Sequence, residues 1–276
     1  MNNSILIIGE NSFIAKYVIK DFLATNKYSV TTCSHDNFPG NLDIFDWVMN
    51  FSTHPDIYKA KYSRELDQDL IIAKQLTNNI HTKFFFVSSR TVYPTSNEVH
   101  YSKEIETPDI TNQKQYGLNK LQSERNVINT LGMNRVLIVR ASNIFGSEYG
   151  RHTFMGIAQK SLIENNRIKL DINSDTVRDF IPVEYFSAAI IRLINLSNTG
   201  IYNIGSGIQL SLGEICSAII KGFGSGEIID SKEIRDQFVL DIEKLKNAIP
   251  YDIAKTDVLK YAESIGETLK EAHNGH

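Results

Sequence analysis

The sequence predicts an α/β chain: a doubly wound parallel sheet with a smaller lobe built from the C-terminal part. Three observations predict it. Short apolar runs recur along the chain, stretches with helical apolar spacing separate them, and 276 residues with 42% hydrophobic content can bury a sizeable core.

The apolar runs place strands at 5–8, 29–33, 47–51, 84–88 and 136–140. Between the first two, Ile14, Val18, Ile19 and Phe22 recur at helical spacing within 13–24, which makes a βαβ unit. Stretches 70–77 and 120–131 read as further helices lying between strands. From about Gly146 the alternation weakens into a helix at 154–164, a polar loop through 171–178 and a strand at 200–204. The expected division is 1–146 plus about 177–205 for the sheet domain, with about 147–176 and 206–276 forming the lobe over its carboxyl edge. No internal repeat, low-complexity segment or Pro/Gly-rich linker interrupts this pattern.

Composition narrows the class of partner. A formal net charge of -3 from interspersed acids and bases, with no block of like charge, excludes a nucleic-acid or anionic-membrane surface and leaves a small molecule. Cys33 and Cys216 lie far apart without other metal-ligating company, so they read as ordinary buried thiols, with no disulfide and no metal site. The first apolar run is too short for a signal peptide or a membrane span, and none later reaches spanning length; a soluble cytoplasmic protein is expected.

Directly after the first strand stands Gly9-Glu10-Asn11-Ser12-Phe13-Ile14-Ala15, a G-x-x-G-x-x-G/A turn with Ser12 at the middle glycine. Such a turn must bend tightly, let backbone approach a pyrophosphate, and seat the anion on a helix N-terminus. Gly9 and Ala15 meet the first and last demands. Ser12 carries a Cβ that can push the pyrophosphate outward, so cofactor affinity is what this residue puts in question. Any strand-turn-helix corner can read this way, but the position after the leading strand favours a dinucleotide site on a Rossmann sheet. Its cofactor-binding residues are then Gly9, Ser12, Phe13 and Ile14, with Phe51 and Ser52 at the end of the third strand.

The end of the second strand distinguishes the two nicotinamide cofactors, because a carboxylate there holds a free ribose hydroxyl and repels a phosphate. Here Ser34 stands in that place, followed by His35, a pair suited to a 2′-phosphate. NADP is preferred on this reading. Asp36 restores NAD if the strand runs longer, and His35 is otherwise a solvated loop residue.

Tyr116-Gly117-Leu118-Asn119-Lys120 opens a predicted helix, and spacing of four puts phenol and ammonium on one face. A phenol with an ordinary pKa near 10 needs a neighbouring cation to exchange protons at neutral pH, and Lys120 is that cation. Tyr251 and Lys255 share the spacing but have no hydroxyl-bearing strand end ahead of them. Phe84-Phe85-Phe86-Val87-Ser88-Ser89 gives Tyr116 such a partner, with Ser89 and its rival Ser88 both candidates to hold a substrate oxygen.

Together with Val92-Tyr93, Arg140-x-x-Asn143-x-x-Gly146, Arg178-Asp179-Phe180-Ile181-Pro182-Val183 and Tyr202-Asn203-Ile204-Gly205-Ser206-Gly207, these residues resemble the extended short-chain dehydrogenase/reductase family of nucleotide-sugar epimerases, dehydratases and 4-ketoreductases. The resemblance covers nearly the whole chain. It implies that Ser89 binds the reacting oxygen, that Tyr116 is the acid/base, and that Lys120 tunes Tyr116 and holds the nicotinamide ribose. It also implies that Arg90, Asn143, Arg178 and Arg235 bind a nucleotide-diphosphate sugar. Read plainly, Arg178 is a solvated charge and Asn143 a turn residue. A dehydratase of this group places Asp-Glu after the catalytic hydroxyl; Arg90 and Thr91 stand there instead, which disfavours dehydration. Reduction of a 4-keto-6-deoxy nucleotide sugar leads, a 4-epimerase with tightly bound NAD is the alternative, and a non-catalytic dinucleotide-binding regulator is the third reading. Helices 70–77 and 120–131 are expected to pair across a two-fold axis as a homodimer, by analogy with the family.

Overall fold

The computed structural model describes residues 3–37, 39–106 and 114–274. Among them, six strands form one parallel sheet: β1 (Asn3–Ile8), β2 (Tyr28–Cys33), β3 (Trp47–Asn50), β4 (Lys83–Ser89), β5 (Val136–Ala141) and β6 (Gly200–Ile204), in the spatial order β6-β5-β4-β3-β1-β2. All of the predicted sheet strands are present, with ends shifted by one or two residues.

The order reverses at β1, which has β2 on one side and β3 on the other. At such a switch point the loops leaving adjacent strands part, and a crevice opens at the carboxyl edge. Registers Ile8↔Cys33 and Ile8↔Asn50 bring the ends of all three strands to one level there.

Period-2 geometry explains why the strands read as continuous apolar runs. In β1, Ile5 and Ile7 face one core while Leu6 and Ile8 face the other, and all four are fully buried. One face is covered by α1 (Phe13–Thr25) and α5 (Val183–Asn195), through Val18, Phe22, Phe186 and Ile190. The other is covered by α2 (Gln68–Gln75) and α3 (Gln115–Leu131), through Ile72, Ala73 and Val127.

Both of these last helices start earlier than their apolar spacing predicts. α2 begins two residues sooner because Asp67 caps it, its Oδ1 accepting from Leu70 N at 3.1 Å. α3 begins five residues before Lys120, so Tyr116 lies in its first turn.

Beyond the sheet, α4 (Phe154–Asn165), α6 (Leu212–Phe223), α7 (Glu243–Ala248) and α8 (Lys255–Asn274) complete the α-helices among the described residues. The predicted loop 171–178 ends in a short strand, Val177–Arg178, paired antiparallel with Leu210–Ser211. Both cysteines are free thiols; Cys216 is buried, but Cys33, at the sheet edge, is only half-buried rather than buried as expected. No helix among the described residues is long and apolar enough to cross a membrane.

Candidate functional site

The crevice beyond β1, β2 and β3 encloses about 400 Å³. Every sequence-predicted cofactor residue lines it (Gly9, Ser12, Phe13, Ile14, Ser34, His35, Phe51, Ser52 and Tyr116) except Lys120, which is buried behind its wall. Gly9 has φ +86°, and a Cβ there would lie 2.8 Å from Ser52 N. Only glycine therefore keeps the turn this close to the neighbouring strand end, as a dinucleotide cradle requires.

Ser12 sits at φ -66°, a backbone that any residue adopts, and caps α1 by accepting from Ala15 N at 3.2 Å. The missing second glycine thus costs the turn nothing, and the helix gains a cap. At the far end, His35 pairs with Asp36 at 3.1 Å, both exposed.

Tyr116 is half-buried and lines both this cleft and a second cavity that holds Ser88, Ser89, Asn143 and Phe154. Its position depends on the next residue. A Cβ on Gly117 would lie 1.9 Å from the carbonyl oxygen of Thr91, so only glycine lets α3 close on the turn that follows β4. That turn, Arg90–Val92, is capped by Ser89, whose Oγ accepts from Thr91 N at 3.2 Å. Ser89 and Tyr116 meet in one cavity for this reason.

The two serines differ in their commitments. Ser88 Oγ is buried and donates to Glu124 Oε1 at 2.5 Å. Glu124 also takes both Nε and Nη2 of Arg140, a buried pair that ties β5 to α3. Ser89 Oγ only accepts from its neighbours, Thr91 N and Oγ1, so its proton is free for a substrate oxygen.

Lys120 Nζ lies 2.9 Å from Asp69 Oδ2, and Asp69 Oδ1 accepts from Asn50 Nδ2 at 2.7 Å, all three residues buried. Burial disfavours the Lys120 charge, but Asp69, with Tyr116 and Asp67, more than offsets this and holds its pKa above the ordinary value. Burial pushes the Tyr116 phenol up to about 12, Lys120 opposing and Tyr58 and Asp69 adding to the rise. Tyr58 stacks on Tyr116 with ring centroids 4.7 Å apart. The ammonium therefore counters the rise without bringing the phenol down to neutral pH.

A third cavity of about 760 Å³ adjoins α4 and holds Arg90, Lys114, Arg178, Arg235 and Asp236. Arg90 donates Nη1 and Nη2 to the two Asp236 oxygens at 2.8 and 2.5 Å and lies over the Phe238 ring at 3.9 Å. Lys114 and Arg178 approach the same carboxylate at 3.4 and 3.7 Å. Arg178 is half-buried, with 18% of its side chain exposed, and its Nε, like Asn143 Nδ2, is buried without a partner. Arg235 reaches Asp171 at 2.7 Å on the outer rim. Three of the four predicted substrate residues thus share one cavity, and Asn143 lies in the cavity beside it.

Sequence reading missed Asn50, Tyr58, Asp69, Lys114, Arg151 and Asp236. Asp69 resembles an ordinary first-turn helix acid, and Asp236 gains its meaning only from cations remote in sequence. The Tyr251/Lys255 pair lines none of the three cavities: Tyr251 donates to Gly205 O at 2.7 Å, and Lys255 meets Glu214.

A model of the NAD-dependent epimerase/dehydratase family matches residues 5–205. Among curated proteins no sequence matches. Solved structures align over nearly their full length. The UDP-glucuronic acid 4-epimerase of Bacillus cereus with NAD is 16% identical over 96% of this chain and 99% of that one, at a TM-score of 0.79. The dTDP-4-dehydrorhamnose reductase of Yersinia enterocolitica is 20% identical over 95% and 99%, at 0.74. RMD of Pseudomonas aeruginosa with NADPH is 19% identical over 98% and 99%, at 0.78. These likenesses place the sheet and its crevice in one fold, and the match over 5–205 identifies the chain as a member of the NAD-dependent epimerase/dehydratase family.

Proposed function

We propose that the chain is a nicotinamide-dependent oxidoreductase acting on a nucleotide-diphosphate sugar, and that it reduces the keto group of a 4-keto-6-deoxy sugar. The observation that carries this is Tyr116, which stands in the wall between the dinucleotide cleft and the cavity of Ser89. Beyond that cavity, three cations face the single carboxylate of Asp236, an excess of positive charge suited to a diphosphate.

When bound, the nicotinamide supplies hydride to the sugar carbonyl carbon. Tyr116, protonated at neutral pH, gives its proton to the carbonyl oxygen. Ser89 donates a hydrogen bond to the same oxygen as charge develops. Lys120, held charged by Asp69, stabilises the phenolate left on Tyr116 until water returns the proton. Among the described residues no carboxylate lines the cavity of Ser89 and Tyr116, so the extra acid and base of a dehydration have no candidates there.

Ser34 and His35 support NADP. The His35–Asp36 pair supports the second reading, a 4-epimerase holding NAD, because Asp36 offsets the cation that a 2′-phosphate needs. Fluorescence titration with NADPH and NADH separates them: tighter NADPH supports the reductase, tighter or co-purifying NAD the epimerase, and binding of neither contradicts both. Assembly as a homodimer through α2 and α3 belongs to the same proposal; a purely monomeric species in sedimentation counts against it.

A further inference from the structure

Five residues line both the dinucleotide cleft and the cavity of Ser89, and one of them, Arg151, has no part in the chemistry above. It comes from the segment leading into α4, across the cleft from the loop Gly9–Ser12. Its guanidinium carbon lies 4.4 Å over the ring of Phe13, the first residue of α1. A helix N-terminus and a cation thus line one cleft, in contact through the Phe13 ring.

The side chain is built into place. Arg151 Nη1 donates to Glu148 Oε2 at 2.6 Å, and the Glu148 side chain is fully buried. The same oxygen accepts from Thr153 Oγ1 at 2.7 Å, and Glu148 N donates to Gln159 Oε1 at 2.8 Å. A Cβ on Gly156 would lie 2.3 Å from the carbonyl oxygen of Arg151, so glycine there lets α4 pack against the backbone that carries it. Yet 43% of the Arg151 side chain stays exposed, with donors left over.

The opposite wall explains what those donors serve. Glu10 brings a negative charge to the phosphate loop, and among the described residues Arg151 is the only lysine or arginine lining the cleft. A pyrophosphate seated on α1 meets backbone N–H groups and an acid from one side; the compensating charge must come from the other.

We propose that Arg151 clamps the pyrophosphate of the dinucleotide from the α4 side of the cleft, joining the cofactor site to the wall of the sugar site. The inference rests on the dinucleotide reading above. Removing a charge-assisted contact of this kind weakens binding by about tenfold to 100-fold.

The test is fluorescence titration of the full chain with NADPH and NADH, repeated with Arg151→Gln, Glu148→Gln and the double variant. Arg151→Gln alone strands a buried carboxylate, whereas the double variant does not, so folding loss and contact loss separate. The expected result is weakening by about tenfold or more in both variants that lack Arg151, with a shallower salt dependence, and near-normal affinity in Glu148→Gln. Lys221→Gln, on the exposed face of α6 and lining none of the cavities, is expected to bind both dinucleotides as the wild type does. Unchanged dinucleotide affinity in the folded double variant overturns the clamp alone. Absence of dinucleotide binding in the wild type overturns the reading beneath it.

Discussion

At the scale of residues, the adjacent pair Ser88 and Ser89 divides structure from chemistry. Ser88→Ala removes one partner of the buried Glu124–Arg140 pair and is expected to cost about 1–3 kcal/mol of stability. Ser89→Ala removes the cap of the Arg90–Val92 turn and is expected to cost about 1 kcal/mol of stability or less, while lowering turnover by about 100-fold to 1,000-fold. Urea denaturation and steady-state rates of the two variants check the division; the opposite pattern would exchange their roles. Asp69 offers a sharper test. Its carboxylate holds Lys120 charged and adds to the rise of Tyr116, so Asp69→Asn is expected to lower the pKa of both. The proposed reduction needs Tyr116 protonated, so the basic limb of the pH–rate profile should move to lower pH in this variant. A limb that stays in place would mean that Asp69 does not set the proton state of Tyr116. The resemblance pointed to Ser89 with Ser88 as its rival, but the tie of Ser88 to Glu124 was not legible until β4 sends the two serines to opposite sides, and Asp69 meets Lys120 only when α2 packs on α3.

Among elements, the approach of α3 to the end of β4 decides whether a site exists. The tyrosine–lysine spacing was legible because a helix puts such residues on one face. Gly117, directly after the tyrosine, carried a structural meaning that the spacing alone did not reveal. Gly117→Ala places a methyl group against the Thr91 carbonyl, so α3 must move away from Ser89. A loss of about 2 kcal/mol or more is expected in thermal or urea unfolding, with activity falling further than stability. A variant of normal stability and activity would show that the contact is not what sets the site. The strands were legible because β1 and β5 are buried on both faces and cannot tolerate polar residues until their ends. The apolar stripe alone misses the starts of α2 and α3, because capping by Asp67 and packing of Gly117 lie outside what periodicity detects; for α3 the tyrosine–lysine run put the start within one residue.

On the scale of the whole molecule, the cavity proposed for the substrate is joined by long-range charge rather than by a local motif. Asp236 follows Arg90 by 146 residues, yet the two make a buried bidentate pair. No pattern along the chain announces that partner, whereas Arg90 itself was visible as a departure beside Ser89. Burial alone would raise the Asp236 carboxyl, but Arg90, with Lys114 and Arg178, holds it below its ordinary value. Its contribution is therefore present above the unfolded-state value near pH 4 and is lost as pH falls through the lower folded-state value. Asp236→Asn is expected to lose about 3–5 kcal/mol at neutral pH, with the gap to wild type narrowing in acid. Urea midpoints across that range check it, and a gap independent of pH would contradict the assignment.

The central claim is that Tyr116 passes a proton between the two cavities it divides. The most direct measurement follows oxidation of NADPH by the purified chain with a 4-keto-6-deoxy nucleotide sugar, beside Tyr116→Phe. The account predicts turnover by the wild type and almost none by the variant, which should still bind cofactor and sugar with similar affinity. Equal turnover by both proteins would contradict it.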